Sequence, residues 1–123
     1  MRRRVLVIAE GGVRTNLAGA FDETAYSMTE AHDGEEGMKI LRSGEVFDLL
    51  VTDTAVWGMN ARQLVDAIRG ARPNMPILLI FEDADAPDHL QLAPGTQALH
   101  KPFSHDQLID RVRALLTNTN LSQ

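Results

Sequence analysis

Residues 47–59, FDLLVTDTAVWGM, contain the apolar run, the aspartate and the turn from which the fold can be inferred. Phe47 and the apolar residues 49–51 give the short pattern of a strand that is buried on both faces. Asp53 therefore lies at the carboxyl end of a strand, where open α/β sheets form their ligand crevice. A carboxylate there could hold a hard cation or attack phosphorus. It could also merely cap the turn before the next helix.

Four further segments have strand patterns, and helical patterns separate them. The strand candidates are residues 5–9, 26–31, 76–81 and 98–100. Helical spacing is found over residues 13–21, 35–43, 61–71, 88–92 and 105–116. This alternation predicts a flavodoxin-like (βα)5 fold of the α/β class, a doubly wound parallel sheet with strand order 2-1-3-4-5.

Several turn and cap residues support these boundaries. Gly11 and Gly12 are interpreted as a turn after the first strand, because no third glycine completes a dinucleotide fingerprint. Asn60 is a candidate N-cap for the third helix. Ser104 and Gln107 have the spacing of a capping box at the start of the last helix.

Length and composition narrow the class of protein. The 123 residues suit one domain, expected over residues 1–118, with a polar tail at 119–123 that should fray. The absence of cysteine excludes disulfides, thiolate metal sites and cysteine nucleophiles. A net charge of −5 argues against a nucleic-acid surface. No apolar run suits a signal peptide or a membrane span, so we expect a soluble cytoplasmic protein.

The predicted topology brings three charged residues to one edge of the sheet. Strands one and three, which flank the switch point of this strand order, end at Glu10 and Asp53. Lys101 arrives at the same edge from the fifth strand. Two carboxylates beside an ammonium form a site for a divalent cation next to an anion. Lys101 taken alone could instead be a solvated loop cation.

With these residues assembled, the chain resembles the receiver domains of two-component response regulators along almost its whole length. Four motifs carry the resemblance: VLVIAE at 5–10, the Asp33-Gly34 turn, DTAVWGM at 53–59, and KPF at 101–103. The resemblance implies that a histidine kinase or a histidine phosphotransfer protein donates a phosphoryl group to one aspartate with the help of Mg²⁺.

The family's functional residues match positions of this chain one by one. The phospho-acceptor matches Asp53, whose carboxylate also helps to hold the metal. The lysine that contacts the phosphoryl oxygens matches Lys101. Glu10 supplies the acid after the first strand, and the backbone carbonyl of Ala55 would complete the metal shell. Receivers usually have two adjacent acids there, whereas this chain has Ala9 and Glu10, so Mg²⁺ should bind weakly if it binds at all.

The positions that relay phosphorylation in the family depart further from its pattern. Phe81 replaces the usual serine or threonine and is expected to be buried, and Glu82 replaces a small residue. Ala98 stands where a switch aromatic is usual, and Trp57 where proline is usual. Phe81 has no hydroxyl to donate a hydrogen bond to phosphate, and Glu82 adds a negative charge beside the incoming anion. We therefore expect a receiver that keeps its acceptor and lacks the usual readout.

Three functional hypotheses follow. The first is an atypical stand-alone receiver, phosphorylated on Asp53, that signals through a downstream protein or a homodimer using helix 4, strand 5 and helix 5. The second is a pseudo-receiver that binds proteins without phosphorylation. The third, an enzyme, is disfavoured. An aspartate phosphatase would need an acid at Ala55, and a flavin carrier would need hydroxyls in the loop after Glu10. We therefore expect no enzymatic activity, and neither nucleic acid nor membrane as a partner.

Overall fold

The computed structural model describes residues 2–82 and 95–121, and its centre is a parallel sheet. Five strands form it: β1 (Arg3–Ile8), β2 (Tyr26–Ala31), β3 (Leu49–Asp53), β4 (Ile77–Phe81) and β5 (Thr96–His100). Their order is β2-β1-β3-β4-β5, and every neighbouring pair is parallel. The flavodoxin-like sheet and its strand order are confirmed.

Helices cover both faces of this sheet. They are α1 (Gly11–Ala20), α2 (Gly34–Leu41), α3 (Ala61–Ala71) and α4 (His105–Leu121), and a 3₁₀ turn (Thr54–Trp57) follows β3. The helix candidate at 88–92, which would be the fourth helix of the family, lies outside the described residues. Within the described ranges, no helix combines the length and the apolar composition that crossing a membrane requires.

The central strands have no solvent-facing side. Their alternate residues pack into two apolar clusters, one beneath α1 and α4 and the other beneath α2 and α3. Val7 and Val51 belong to the first cluster, Leu6 and Leu50 to the second, and all four are fully buried. Burial of each such side chain stabilises the fold by about 1.5–3 kcal/mol. Because residues on both faces of these strands are buried, the strands appear in the sequence as continuous apolar runs.

The caps predicted for the helices at 61–71 and 105–116 are present. The Asn60 side chain accepts from the backbone N–H of Gln63 at 2.9 Å, and the Gln63 side chain accepts from Asn60 at 3.0 Å. Ser104 and Gln107 form the same reciprocal pair, at 2.8 and 3.1 Å. Each box satisfies two backbone donors that a helix start would otherwise leave unpaired.

Two of the differences from the predicted boundaries concern α1 and α4. Gly11 and Gly12 form the first turn of α1 rather than a separate turn, because the Glu10 side chain caps the helix by accepting from Val13 N–H at 2.8 Å. The backbone of α4 continues to Leu121, beyond the helical pattern of the sequence, which ends at residue 116. Once a helix is nucleated, each added residue gains a hydrogen bond, and the propensity penalty of polar residues is below about 1 kcal/mol.

The close contact between α2 and β1 depends on Gly37, which is buried against Ile8. A Cβ at Gly37 would overlap the Ile8 side chain, whereas a Cβ at Gly70 in α3 would meet no atom within 4 Å. We expect Gly37→Ala to lower the free energy of unfolding by about 1–3 kcal/mol through overpacking. Gly70→Ala should raise it by about 0.5–1 kcal/mol through helix propensity. Urea denaturation of both variants checks this, and equal effects of the same sign would contradict the packing assigned to Gly37.

Candidate functional site

A buried ion pair lies at the carboxyl edge of the sheet, where the sequence placed it. The Nζ atom of Lys101 is 2.5 Å from Oδ2 of Asp53. The Asp53 side chain is 2% exposed and that of Lys101 is 19% exposed. Burial alone would lower the pKa of Lys101, but the hydrogen bond and charge of Asp53, followed by Glu82, raise it above the ordinary lysine value. The raised pKa keeps Lys101 in its ammonium form beside the Asp53 carboxyl group.

Strand register brings these two residues together across a strand that separates them. Asp53 ends β3, opposite Ile80 of β4. On the other side of β4, Phe81 pairs with His100, and the N–H of Lys101 donates to the carbonyl of Phe81 at 2.9 Å. Lys101 thus leaves the sheet one residue beyond the last pair, and its long side chain reaches back to Asp53.

The turn after β3 fixes the second oxygen of the acceptor carboxylate. Oδ1 of Asp53 accepts from the N–H of Ala55 at 2.9 Å, so Asp53 is also the N-cap of the 3₁₀ turn. The capping interpretation of Asp53 is therefore confirmed, and the same carboxylate also contacts Lys101. Ala55 itself is exposed.

Trp57 packs beside the end of β3 and hydrogen-bonds to the residue before Asp53. The sequence alone did not predict this contact. The Trp57 side chain is packed in the α2/α3 cluster, and its indole N–H donates to Oγ1 of Thr52 at 2.8 Å. The Thr52 hydroxyl lies 3.1 Å from the carbonyl of Ile8 and 3.2 Å from that of Asp53. The ring lies directly over Gly34, where a Cβ would come within 2.5 Å of it. The glycine at position 34 leaves the space that the Trp57 ring occupies.

Glu10 is the N-cap of α1, a contact that the sequence analysis did not predict. Its carboxylate caps α1, and the pKa of Glu10 is lowered chiefly by the backbone N–H groups of Val13 and Gly12, with smaller effects from the charges of Lys101 and Arg14. The residue is exposed. It contributes negative potential at the rim of the site, and its Oε1 atom accepts from the first turn of α1.

Two of the replaced relay positions, Phe81 and Glu82, contact Lys101. The third, Ala98, lies within β5. Phe81 is half-buried rather than fully buried, because it ends the strand and packs edge-on against His100, with ring centroids 5.2 Å apart. Glu82, mostly exposed, places Oε1 3.5 Å from the Lys101 ammonium. Ala98 is half-buried, and its carbonyl accepts from Arg111 of α4 at 2.8 Å.

The side chains do not form a ready divalent-metal site. Ala9, fully buried, offers no side-chain oxygen, and Glu10 is held by α1. Both oxygens of Asp53 already have partners. Among residues 2–82 and 95–121, no group of three or more acidic or histidine side chains is placed to hold a metal ion. Mg²⁺ normally uses one or two carboxylates together with waters and phosphate. Here the Asp53 oxygens that Mg²⁺ would use also accept from Lys101 and from the N–H of Ala55.

The fold agrees with the comparisons to known proteins. The family model for the response regulator receiver domain matches residues 5–113. The chain belongs to this receiver family. It therefore belongs to two-component signalling, and the resemblance inferred from four short motifs is confirmed.

Known relatives of this receiver include proteins that are longer than the chain. It is 30% identical over 122 residues to the response regulator MprA of Mycobacterium tuberculosis, covering 97% of this chain and 53% of that protein. The chain thus spans about half the length of the curated relatives it matches. A response regulator receiver protein from Sinorhizobium medicae superposes with a TM-score of 0.80 at 25% identity, over 96% of this chain and 97% of that one. Full-length FixJ from B. japonicum superposes with a TM-score of 0.81 at 21% identity, over 97% of this chain and 60% of FixJ. At this identity the likeness supports the fold alone.

Proposed function

We propose that this receiver accepts a phosphoryl group on Asp53 and signals through protein contact. The observation that carries the proposal is the Asp53–Lys101 pair, a carboxylate and an ammonium 2.5 Å apart at the carboxyl edge of the sheet. The donor would be a histidine kinase or a histidine phosphotransfer protein, as is general for receivers. The output would go to a downstream protein or to a second copy of the chain.

The chemistry assigns a distinct part to each residue of the pair. One Asp53 oxygen attacks phosphorus, the P–O bond forms, and the P–N bond to the donor imidazole breaks. Because the carboxylate loses its negative charge when the acyl phosphate forms, the Lys101 ammonium can transfer its contact to the phosphoryl oxygens. The N–H of Ala55 keeps its hydrogen bond to Oδ1 if the other oxygen reacts. Lys101 thus offsets charge before and after transfer.

Mg²⁺, when bound, would neutralise charge on the transferring phosphoryl group. Glu10, Asp53 and the carbonyl of Ala55 remain the proposed ligands, and the present contacts make the affinity low.

A phosphorylation-independent binding module is the second candidate. It is favoured by Glu10 serving as a cap and by Glu82 already contacting Lys101.

Phosphorylation of Asp53 can be tested directly with a small donor. We expect acetyl phosphate and Mg²⁺ to add one phosphoryl group to the parent protein, seen by intact-protein mass, and Asp53→Asn to abolish it. Asp66→Asn, which removes an equal charge from an exposed position of α3, should be modified like the parent. Undiminished modification of Asp53→Asn would refute the acceptor assignment. No modification of the parent, either by acetyl phosphate or by a panel of kinases, would favour the binding module.

The weakness of the metal site predicts a gain of function. Ala9→Asp restores the paired acids but buries a carboxylate in the core, so it should lower the melting temperature in metal-free buffer. Added Mg²⁺ should then raise the melting temperature of this variant more than that of the parent, because a second carboxylate near the cation increases its affinity at least about tenfold. Ala25→Asp, at an exposed position before β2, is the matched control. An equal Mg²⁺ response in all three proteins would show that position 9 does not face a metal.

A further inference from the structure

Glu82 contacts the same ammonium that Asp53 uses. The Nζ atom of Lys101 lies 2.5 Å from Oδ2 of Asp53 and 3.5 Å from Oε1 of Glu82, so one cation bridges two carboxylates. The two carboxylates differ in exposure, at 2% for the Asp53 side chain and 68% for that of Glu82. Glu82 is therefore the partner that an incoming anion can displace.

The backbone holds Glu82 in this place. Phe81 is the last residue of β4, and its carbonyl accepts from the N–H of Lys101 at 2.9 Å. Glu82 and Lys101 are thus the first residues after a paired position on adjacent strands. Their contact follows from the register of β4 and β5, so the Glu82 carboxylate is tethered near Lys101 even when its side chain rotates.

A tethered carboxylate competes unequally with different anions. Free phosphate must displace Glu82 at its solution concentration, whereas a phosphoryl group bonded to Asp53 competes at the effective concentration of an attached group, millimolar or more. Glu82 also repels any oxyanion that approaches Lys101, and this repulsion weakens as salt screens it. The same carboxylate therefore opposes free anions strongly and an attached phosphoryl group weakly.

We propose that Glu82 is a built-in competitor for Lys101 that makes the site selective for a phosphoryl group attached to Asp53 over free phosphate. The inference rests on the proposed function, because it requires that Asp53 accepts the phosphoryl group. Glu82 acts through Lys101 and is a specificity residue rather than a catalytic one.

Titration with inorganic phosphate, followed by the backbone amide shifts of Lys101 and its neighbours, tests this without any donor. We expect Glu82→Gln to bind phosphate roughly two- to fivefold more tightly than the parent, the range that an exposed ion pair supplies. The gain should shrink as sodium chloride is added. Glu30→Gln, on the exposed edge strand β2, removes the same charge far from the site and should bind like the parent. Adding Lys101→Met to Glu82→Gln should remove the binding.

Several results would overturn the inference: equal affinity in the parent and Glu82→Gln, the same gain in Glu30→Gln, or no phosphate binding in any variant. Thermal melts establish that each variant is folded. Failure of the proposed function is separate, because it appears as missing acyl phosphate in the mass experiment. A parent that is phosphorylated while Glu82→Gln leaves phosphate affinity unchanged would refute the inference alone.

Discussion

The ion pair between Asp53 and Lys101 is the interaction on which the candidate site depends. A carboxylate that is 2% exposed is costly to bury unless a cation and hydrogen bonds compensate it, and Lys101 and the N–H of Ala55 provide both. These partners come from β5 and from the turn after β3, so the pair exists only when β3, β4 and β5 are in register. The sheet therefore aligns Asp53 with Lys101, and the ion pair forms only when the chain is folded.

The sequence predicts this sheet well because its physical signals are local and strong. Continuous apolar runs at residues 5–9, 49–51 and 76–81 can be buried only in a sheet covered on both faces, and the caps at Asn60 and Ser104 mark helix starts by chemistry alone. The switch-point rule then places Asp53, and the topology delivers Lys101 to it. The weak strand at 98–100 was predicted too short, because pairing of β5 with β4 extends it back to Thr96 in spite of local propensity.

Side-chain partners are less predictable, because more than one is within reach. Glu10 could face Asp53 or cap α1, and only the structure shows that it accepts from Val13 N–H. Trp57 gave no signal of its bond to Thr52, although a glycine at 34 facing it leaves the room it needs. Glu82 was expected to repel an anion, but its contact with Lys101 depends on strand register to within one residue. Such choices are decided by differences near 1 kcal/mol, which patterns of residue type do not resolve.

A double-mutant cycle on Asp53 and Lys101 tests the central claim that these residues form one energetic unit. Urea unfolding would be measured for the parent, Asp53→Asn, Lys101→Met and the double variant. Lys101→Met alone should be the most destabilised, since it leaves a buried carboxylate without its cation, and Asp53→Asn should relieve much of that cost. The predicted coupling is about 1–3 kcal/mol. Additivity of the two changes to within about 0.5 kcal/mol would contradict the account.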